Sequence, residues 1–369
     1  MVMWRVVRPD AVKVWEKKEV KDRLSRYYAI MKEERIAKFQ IAKKVPIEIS
    51  LSEPSEKLWN EHAKKSKDFK EILTKIDKGE LNFKDLKIPK ISYLDIKIEL
   101  GKRIMSDCHL CERRCGINRL NGKLGYCKVG NIANISSAHL HFGEEPPLVP
   151  SGTIFFCSCV FSCKFCQNWD ISTKPKAGVD ASSEKLGHFA NHLAREEKAR
   201  NINYVTPLPN TYFIIESLKY QTQNITQLWN SNHYCSLETM NLILDLMDFW
   251  LPDFKYGNDD CAKKLSNAPN FWEITTRNHK MAHDNDNGEM IIRHLVMPNH
   301  VECCTKPILD WIAENCPRAI VNVMAQYHPS HKVPYDPILS DINRRLTRDE
   351  IQKARDYADK LGIIWKPVS

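Results

Sequence analysis

The chain has 369 residues, 43% hydrophobic and 27% charged, with a net charge of +9 and 13 cysteines. This fits an ordinary soluble globular protein: one large α/β domain plus a smaller appendage. The longest apolar stretch, Thr153 to Phe161, is too short to span a bilayer, and the N-terminus lacks the apolar core of a signal peptide, so a cytoplasmic protein is expected. In a reducing compartment so many cysteines point to metal thiolates and not to a disulfide framework.

Residues 1–100 carry 24 Lys+Arg against 17 Asp+Glu, while the rest is close to neutral. A basic segment suits RNA or an acidic protein surface, but its lysines are mixed with glutamates and form no basic stripe with interleaved aromatics, so a solvated helix face is the better reading. Val20, Leu24, Tyr27 and Met31 recur at helical spacing and predict one helix over 11–43, broken at Pro46. A second helix is predicted from Ser52 as N-cap to the Lys78-Gly79 stop, with Leu58, Phe69, Ile72 and Ile76 inward. A third segment covers Leu94 to Ile104. The expected division is a helical basic extension over 1–104, a cysteine module over 105–150 and an α/β domain over 151–369.

The module holds Cys108-x2-Cys111-x3-Cys115-x11-Cys127, with Gly116, Gly122 and Gly125 for tight turns. Four thiolates within twenty residues suit zinc or an iron–sulfur cluster, and spacing does not choose between them. Arg113 and Arg114 are expected to moderate the site's negative charge.

From residue 150 strands and helices alternate. Strands are predicted at Thr153–Cys157, Ile202–Val205, Ile225–Trp229, Phe249–Phe254, Met290–Met297 and Ala319–Ala325. Helices are predicted at Ser183–Lys198, Thr211–Gln221, Leu237–Met247, Thr305–Asn315 and Arg348–Leu361, with Cys261–Met281 largely helical and Asp286-Asn287-Gly288 a turn. Six βα units imply a parallel sheet, open or a partial (β/α)6 TIM-like barrel, with function at the C-terminal strand ends. At the end of the first of these strands stands Cys159-x3-Cys163-x2-Cys166. Three thiolates on a [4Fe–4S] cubane leave one iron open for a small molecule, whereas plain electron transfer is better served by four. Cys157, Cys235, Cys261, Cys303, Cys304 and Cys316 read as buried thiols.

These strings carry a resemblance. CHLCERRCGINRLNGKLGYC (108–127), HFGEEPPLVPSGTIFF (141–156), CKFCQNWDIS (163–172), WNSN (229–232), LPDFKYGNDDCAKKL (251–265) and RHLVMPNHVE (293–302) resemble the radical S-adenosylmethionine (SAM) superfamily. Within it they resemble the pyruvate formate-lyase activating enzyme-like branch, in members with an extra upstream cysteine cluster. The resemblance implies that Cys159, Cys163 and Cys166 hold a [4Fe–4S] cluster whose open iron binds SAM. Reductive cleavage of SAM would then give a 5′-deoxyadenosyl radical that abstracts hydrogen from a substrate, as in activases of glycyl-radical enzymes. It also implies an electron donor (a reductase, ferredoxin or flavodoxin). It places Phe165 by the adenine, and Asn230, Asp253, Lys255 and Arg293 at SAM or substrate; His294 is expected to be structural. The chain departs from the family pattern at two places. Ser158 stands where a glycine is usual, and Asn203-Tyr204-Val205-Thr206-Pro207 replaces a Gly-Gly-acidic turn, so that the SAM amino group needs another acceptor, a backbone carbonyl or Asn210. Alternatives are a non-catalytic Fe–S electron carrier or scaffold, a radical enzyme acting on a small metabolite or RNA, or a zinc-bearing nucleic-acid module.

Overall fold

The structure is a computed structural model that describes residues 4–285 and 289–369; the turn expected at 286–288 lies outside the described residues. Eight strands are described: β1 (Ala133–His141), β2 (Ser151–Phe156), β3 (Val179–Ala181), β4 (Asn201–Val205), β5 (Thr226–Ser231), β6 (Phe249–Pro252), β7 (Ile291–Leu295) and β8 (Ile320–Met324). The larger sheet runs β3-β1-β2-β4-β5-β6, with β2, β4, β5 and β6 parallel and β1 and β3 antiparallel at one edge. β7 and β8 pair in parallel, and bridges Trp250–Met290 and Asp253–Arg293 carry the parallel run across from β6. The chain therefore folds as a mixed α/β protein around parallel strands.

Every residue of β4, β5 and β6 is buried, as expected of parallel strands covered on both faces. All six predicted strands form within a few residues of their expected bounds. β1 and β3 were not expected. In β1 (ANISSAHLH) only the first three residues are buried, so it carries no continuous apolar run. The helix expected over Cys261–Met281 is two helices, Asp259–Ser266 and Phe271–Asp284, parted where Asn267 and Asn270 both adopt left-handed backbone.

The single helix expected over 11–43 is instead a string of short ones, including Lys18–Arg23, Ser25–Met31 and Lys38–Ala42. Its inner face was read correctly, since Val20, Leu24 and Tyr27 are fully buried. Its continuity was not, because the free N–H groups of each piece are capped from elsewhere in the chain. The Glu289 carboxylate accepts from Arg26 N and Tyr27 N, Asp248 from Lys38 N and Asn224 from Ala37 N. The second helix is Ser55–Asp77, with Pro54 and not Ser52 at its N-cap. The third, Tyr93–Ser106, opens with a Ser92–Asp95 capping box.

Val14, Trp15, Val20, Leu24 and Tyr27 pack against Leu228, Phe249, Leu251, Ile291 and Ile320, residues of β5 to β8, and so cover the N-terminal ends of the strands. Phe39, Phe69 and Tyr93 join the main core with Ile154, Ile202 and Trp229.

Candidate metal and cofactor site

Opposite this covered end, the chain leaving β2 turns through Ser158, whose φ of 77° lies in the left-handed region that favours glycine. The Ser158 hydroxyl donates to the carbonyl of Cys127, tying the three-cysteine loop to the upstream module. The loop is pinned by Ser162 N to Ser266 O (3.0 Å) and Lys164 N to Leu265 O (2.8 Å). Its thiols converge. Burial pushes the Cys159 thiol far up, and the neighbouring Cys163 and Cys166 push it further. Cys163 is raised by burial too, while the Lys255 ammonium pulls both groups the other way. Hydrogen-bonding groups face each sulfur: Phe161 N (3.4 Å) and Asn232 Nδ2 (3.9 Å) at Cys159, Ser266 Oγ (2.9 Å) at Cys163 and Ser172 Oγ (3.3 Å) at Cys166. Phe165 is buried between Tyr256 and Tyr327.

The polar residues expected at the strand ends form one network. Lys255 Nζ donates to Asp253 (2.8 Å), and Arg293 donates to Asp253 (3.2 Å) and to Asn230. Asp253 and Lys255, expected at SAM or substrate, are paired with each other. Burial favours the neutral acid, but Lys255 and Arg293 outweigh it and hold the Asp253 carboxyl below its ordinary value. Sequence reasoning passed over two members. Glu144 lies 3.6 Å from Arg293 and accepts from Asn203 (2.9 Å), while Glu145 accepts from Asn322 (2.8 Å). The signal was a Glu-Glu pair set before Pro-Pro in an apolar lead into β2. A small cleft borders Cys159, lined by Thr206, Leu208, Pro209, Asn230 and Asn232. Thr206 there takes φ 58°, keeping glycine-like backbone without a glycine. Both polar side-chain atoms of Asn210 are buried without a hydrogen-bond partner among the described residues, as are Asn203 Oδ1 and Glu145 Oε2. A larger cavity, lined by Trp4, Met31, Arg200 and Asn224, lies at the opposite ends of the strands.

Cys108, Cys111, Cys115 and Cys127 also come together. Burial first, and then each of the other three thiols, pushes Cys111 up to about 12. A side chain at Gly125 would strike Cys115 Sγ at 2.7 Å. The expected charge-moderating residues are corrected. Arg113 donates to the carbonyls of Val160 and Asn267, and Arg114 pairs with Glu112 and Glu238. The guanidinium that reaches a thiol is Arg119, 4.0 Å from Cys108 Sγ.

Two further expectations divide. His294 is buried, its imidazole held by the Phe254 carbonyl and Thr305 hydroxyl, and burial lowers it to about 4, as suits a structural residue. Cys261, Cys303 and Cys304, read as separate buried thiols, instead meet around His300. Cys235 lies against Cys111, to which it is bridged by backbone pairing.

No family model matches the chain. It is 41% identical over 349 residues to the Methanocaldococcus jannaschii protein named "Uncharacterized protein MJ0674", covering 92% of this chain and 98% of that one. The chain belongs to the family of that protein. Among solved structures, a radical SAM methyltransferase from Sphaerobacter thermophilus aligns with 58% of this chain and 65% of its own, at 12% identity and a TM-score of 0.41. Streptococcus suis SuiB bound to precursor peptide SuiA aligns with 55% and 43%, at 11% identity and a TM-score of 0.40. The chain thus spans less than two thirds of either solved structure. Among the described residues no helix of this family member is long and apolar enough to cross a membrane.

Proposed function

We propose that the chain is a radical SAM enzyme whose catalytic thiolates are Cys159, Cys163 and Cys166. The observation that carries this reading is the loop itself. Three mutually close thiols stand at the C-terminal end of a central parallel strand, each faced by a hydrogen-bonding group and two of them beside Lys255. That donor set fits a group of anionic sulfurs, whose charge such contacts stabilise. When bound there, a [4Fe–4S] cluster with one open iron supplies the electron that cleaves SAM to a 5′-deoxyadenosyl radical. The chain's own part is to bind, orient and keep the reactants dry. Lys255 and Arg293 offer positive charge to a carboxylate, and Asp253 negative charge to an amino or sulfonium group. Asn210 and Asn203 offer unpartnered amide atoms for the polar remainder. Phe165, inside the loop with its ring between two tyrosines, is the residue placed by the adenine.

The finer parts of the reading are proposals as well: a partial (β/α)6 barrel over 151–369, the divisions at 104 and 150, a cytoplasmic location and an external reductase, ferredoxin or flavodoxin. The activase version, in which hydrogen is taken from a glycine of a partner protein, is supported by the string resemblance over 108–369. For the upstream cysteines we favour an iron–sulfur cluster over zinc. Among the described residues the set with ligand atoms all within 4.8 Å of one another lies elsewhere, so these four are spread more widely than a single ion requires.

A second reading, an Fe–S electron carrier or scaffold, is favoured by one observation: the cleft beside Cys159 is small and the strand ends are filled by their own ion pairs. Anaerobically reconstituted protein given SAM and dithionite separates the two. We expect 5′-deoxyadenosine release that vanishes in the variant with Cys159, Cys163 and Cys166 changed to alanine. An intact cluster with neither release nor SAM binding would establish the carrier reading instead.

A further inference from the structure

Cys261 stands in the first turn of helix Asp259–Ser266, while His300, Cys303 and Cys304 follow β7, about forty residues later. The fold brings their ligand atoms within 4.8 Å of one another. His300 Nδ1 lies 3.6 Å from Cys261 Sγ, 3.3 Å from Cys303 Sγ and 3.6 Å from Cys304 Sγ. Cys303 Sγ is 4.0 Å from Cys261 Sγ and 3.8 Å from Cys304 Sγ. A zinc ion with ordinary bond lengths has tetrahedral edges of about 3.8 Å between sulfurs and about 3.6 Å between sulfur and nitrogen. The five separations match those edges.

Hydrogen bonding alone does not account for the arrangement. A neutral imidazole nitrogen has one lone pair, so three thiols around one Nδ1 cannot all be satisfied by it. A cation at their centre satisfies all four donors at once. The surroundings are built for the approach. Val301–Thr305 is a π-helical turn, which places His300, Cys303 and Cys304 side by side. A Cβ at Gly257 would strike the Cys303 carbonyl at 2.6 Å and Cys304 Cα at 2.8 Å, so the two segments touch backbone to backbone. Asn258 fastens both sides, accepting from Cys261 N (2.8 Å) and donating to the Cys303 carbonyl (2.9 Å). His300 Nε2, the ring nitrogen facing away from the thiols, lies 3.8 Å from an Asp341 carboxylate oxygen, the carboxylate–histidine pattern that orients a metal-bound imidazole.

We infer that Cys261, His300, Cys303 and Cys304 form a structural zinc site, separate from the two cysteine sets described above. With four protein ligands it has no open position for a substrate. Its role is mechanical. It fixes the start of the helix whose last residue, Ser266, donates to Cys163 Sγ, so the ion braces the three-cysteine loop from behind.

The test uses the full-length chain produced with zinc supplied, with elemental analysis and zinc-edge X-ray absorption as readouts. We expect zinc in the wild type, loss of one equivalent in Cys303→Ser, and a nitrogen scatterer in the zinc shell. His300→Cys retains four ligands and so keeps the zinc, but its spectrum loses that nitrogen. Zinc absent from the wild type, or a zinc spectrum identical in His300→Cys, would overturn the inference. Neither readout depends on SAM cleavage.

Discussion

Arg293 shows how much charge a few buried atoms must balance. It sits on β7 among Asp253, Asn230 and Glu144, and Lys255 completes the set. Removing one member of such a group leaves its partners' charge uncompensated away from water, which costs about 3–5 kcal/mol. Arg293→Met is therefore expected to lower unfolding stability by about 3 kcal/mol in chemical denaturation, whereas Asn230→Ala loses one hydrogen bond and costs about 1 kcal/mol. Ser266 offers a different measurement. Tyr256, Ser266 and Cys163 form a relay of hydroxyl, hydroxyl and sulfur. Donors to sulfur favour the more negative, reduced state of a cluster. On the proposed function, Ser266→Ala is expected to shift the midpoint potential of a cluster held by Cys159, Cys163 and Cys166 downward in an EPR-monitored redox titration; an unchanged midpoint would show that the hydroxyl does not act on it.

At the scale of elements, the short helices near the N-terminus exist because distant residues cap them, and Glu289 is the clearest case. Burial raises its carboxyl to about 7, against which the N–H groups of Arg26 and Tyr27 pull down. A carboxyl whose folded value lies above its unfolded one, near 4.5, keeps more protons in the folded state. Its contribution is therefore fully present below about pH 4.5 and is lost as pH rises towards 7. Glu289→Gln should flatten that part of the stability profile, checked by urea unfolding of both proteins at pH 5 and pH 8. An equal decline in both would assign the slope to other groups, such as buried Glu144. The sequence showed which residues of this region face inward, because helical spacing survives being cut into pieces. It did not show the cuts, because caps supplied by Asn224, Asp248 and Glu289 leave no local trace. β2 and β4 to β8 were legible as apolar runs, while β1, half polar, was not. The two CxxC-rich sets were legible because their ligands are neighbours in sequence. Cys261 and His300 were not, since only the packing of the segments after β6 and β7 makes them neighbours.

For the whole molecule, three groups of cysteines share one end of the sheet and touch through named contacts. Ser158 reaches Cys127, Arg113 reaches Val160, and Ser266 closes the helix that begins near Cys261. Metal counting separates them. With Cys159, Cys163 and Cys166 changed to alanine, the protein is expected to retain iron at the upstream four cysteines and one equivalent of zinc at Cys261/His300/Cys303/Cys304. Two equivalents of zinc and no iron would make the upstream site structural and remove it from any electron path. The other end of β6 to β8 is covered by Trp15, Leu24 and Tyr27, which pack with Phe249, Ile291 and Ile320. On the proposed function, a product formed over Cys159 leaves from the strand ends where its reactants entered, and release is expected to pace turnover as readily as bond breaking.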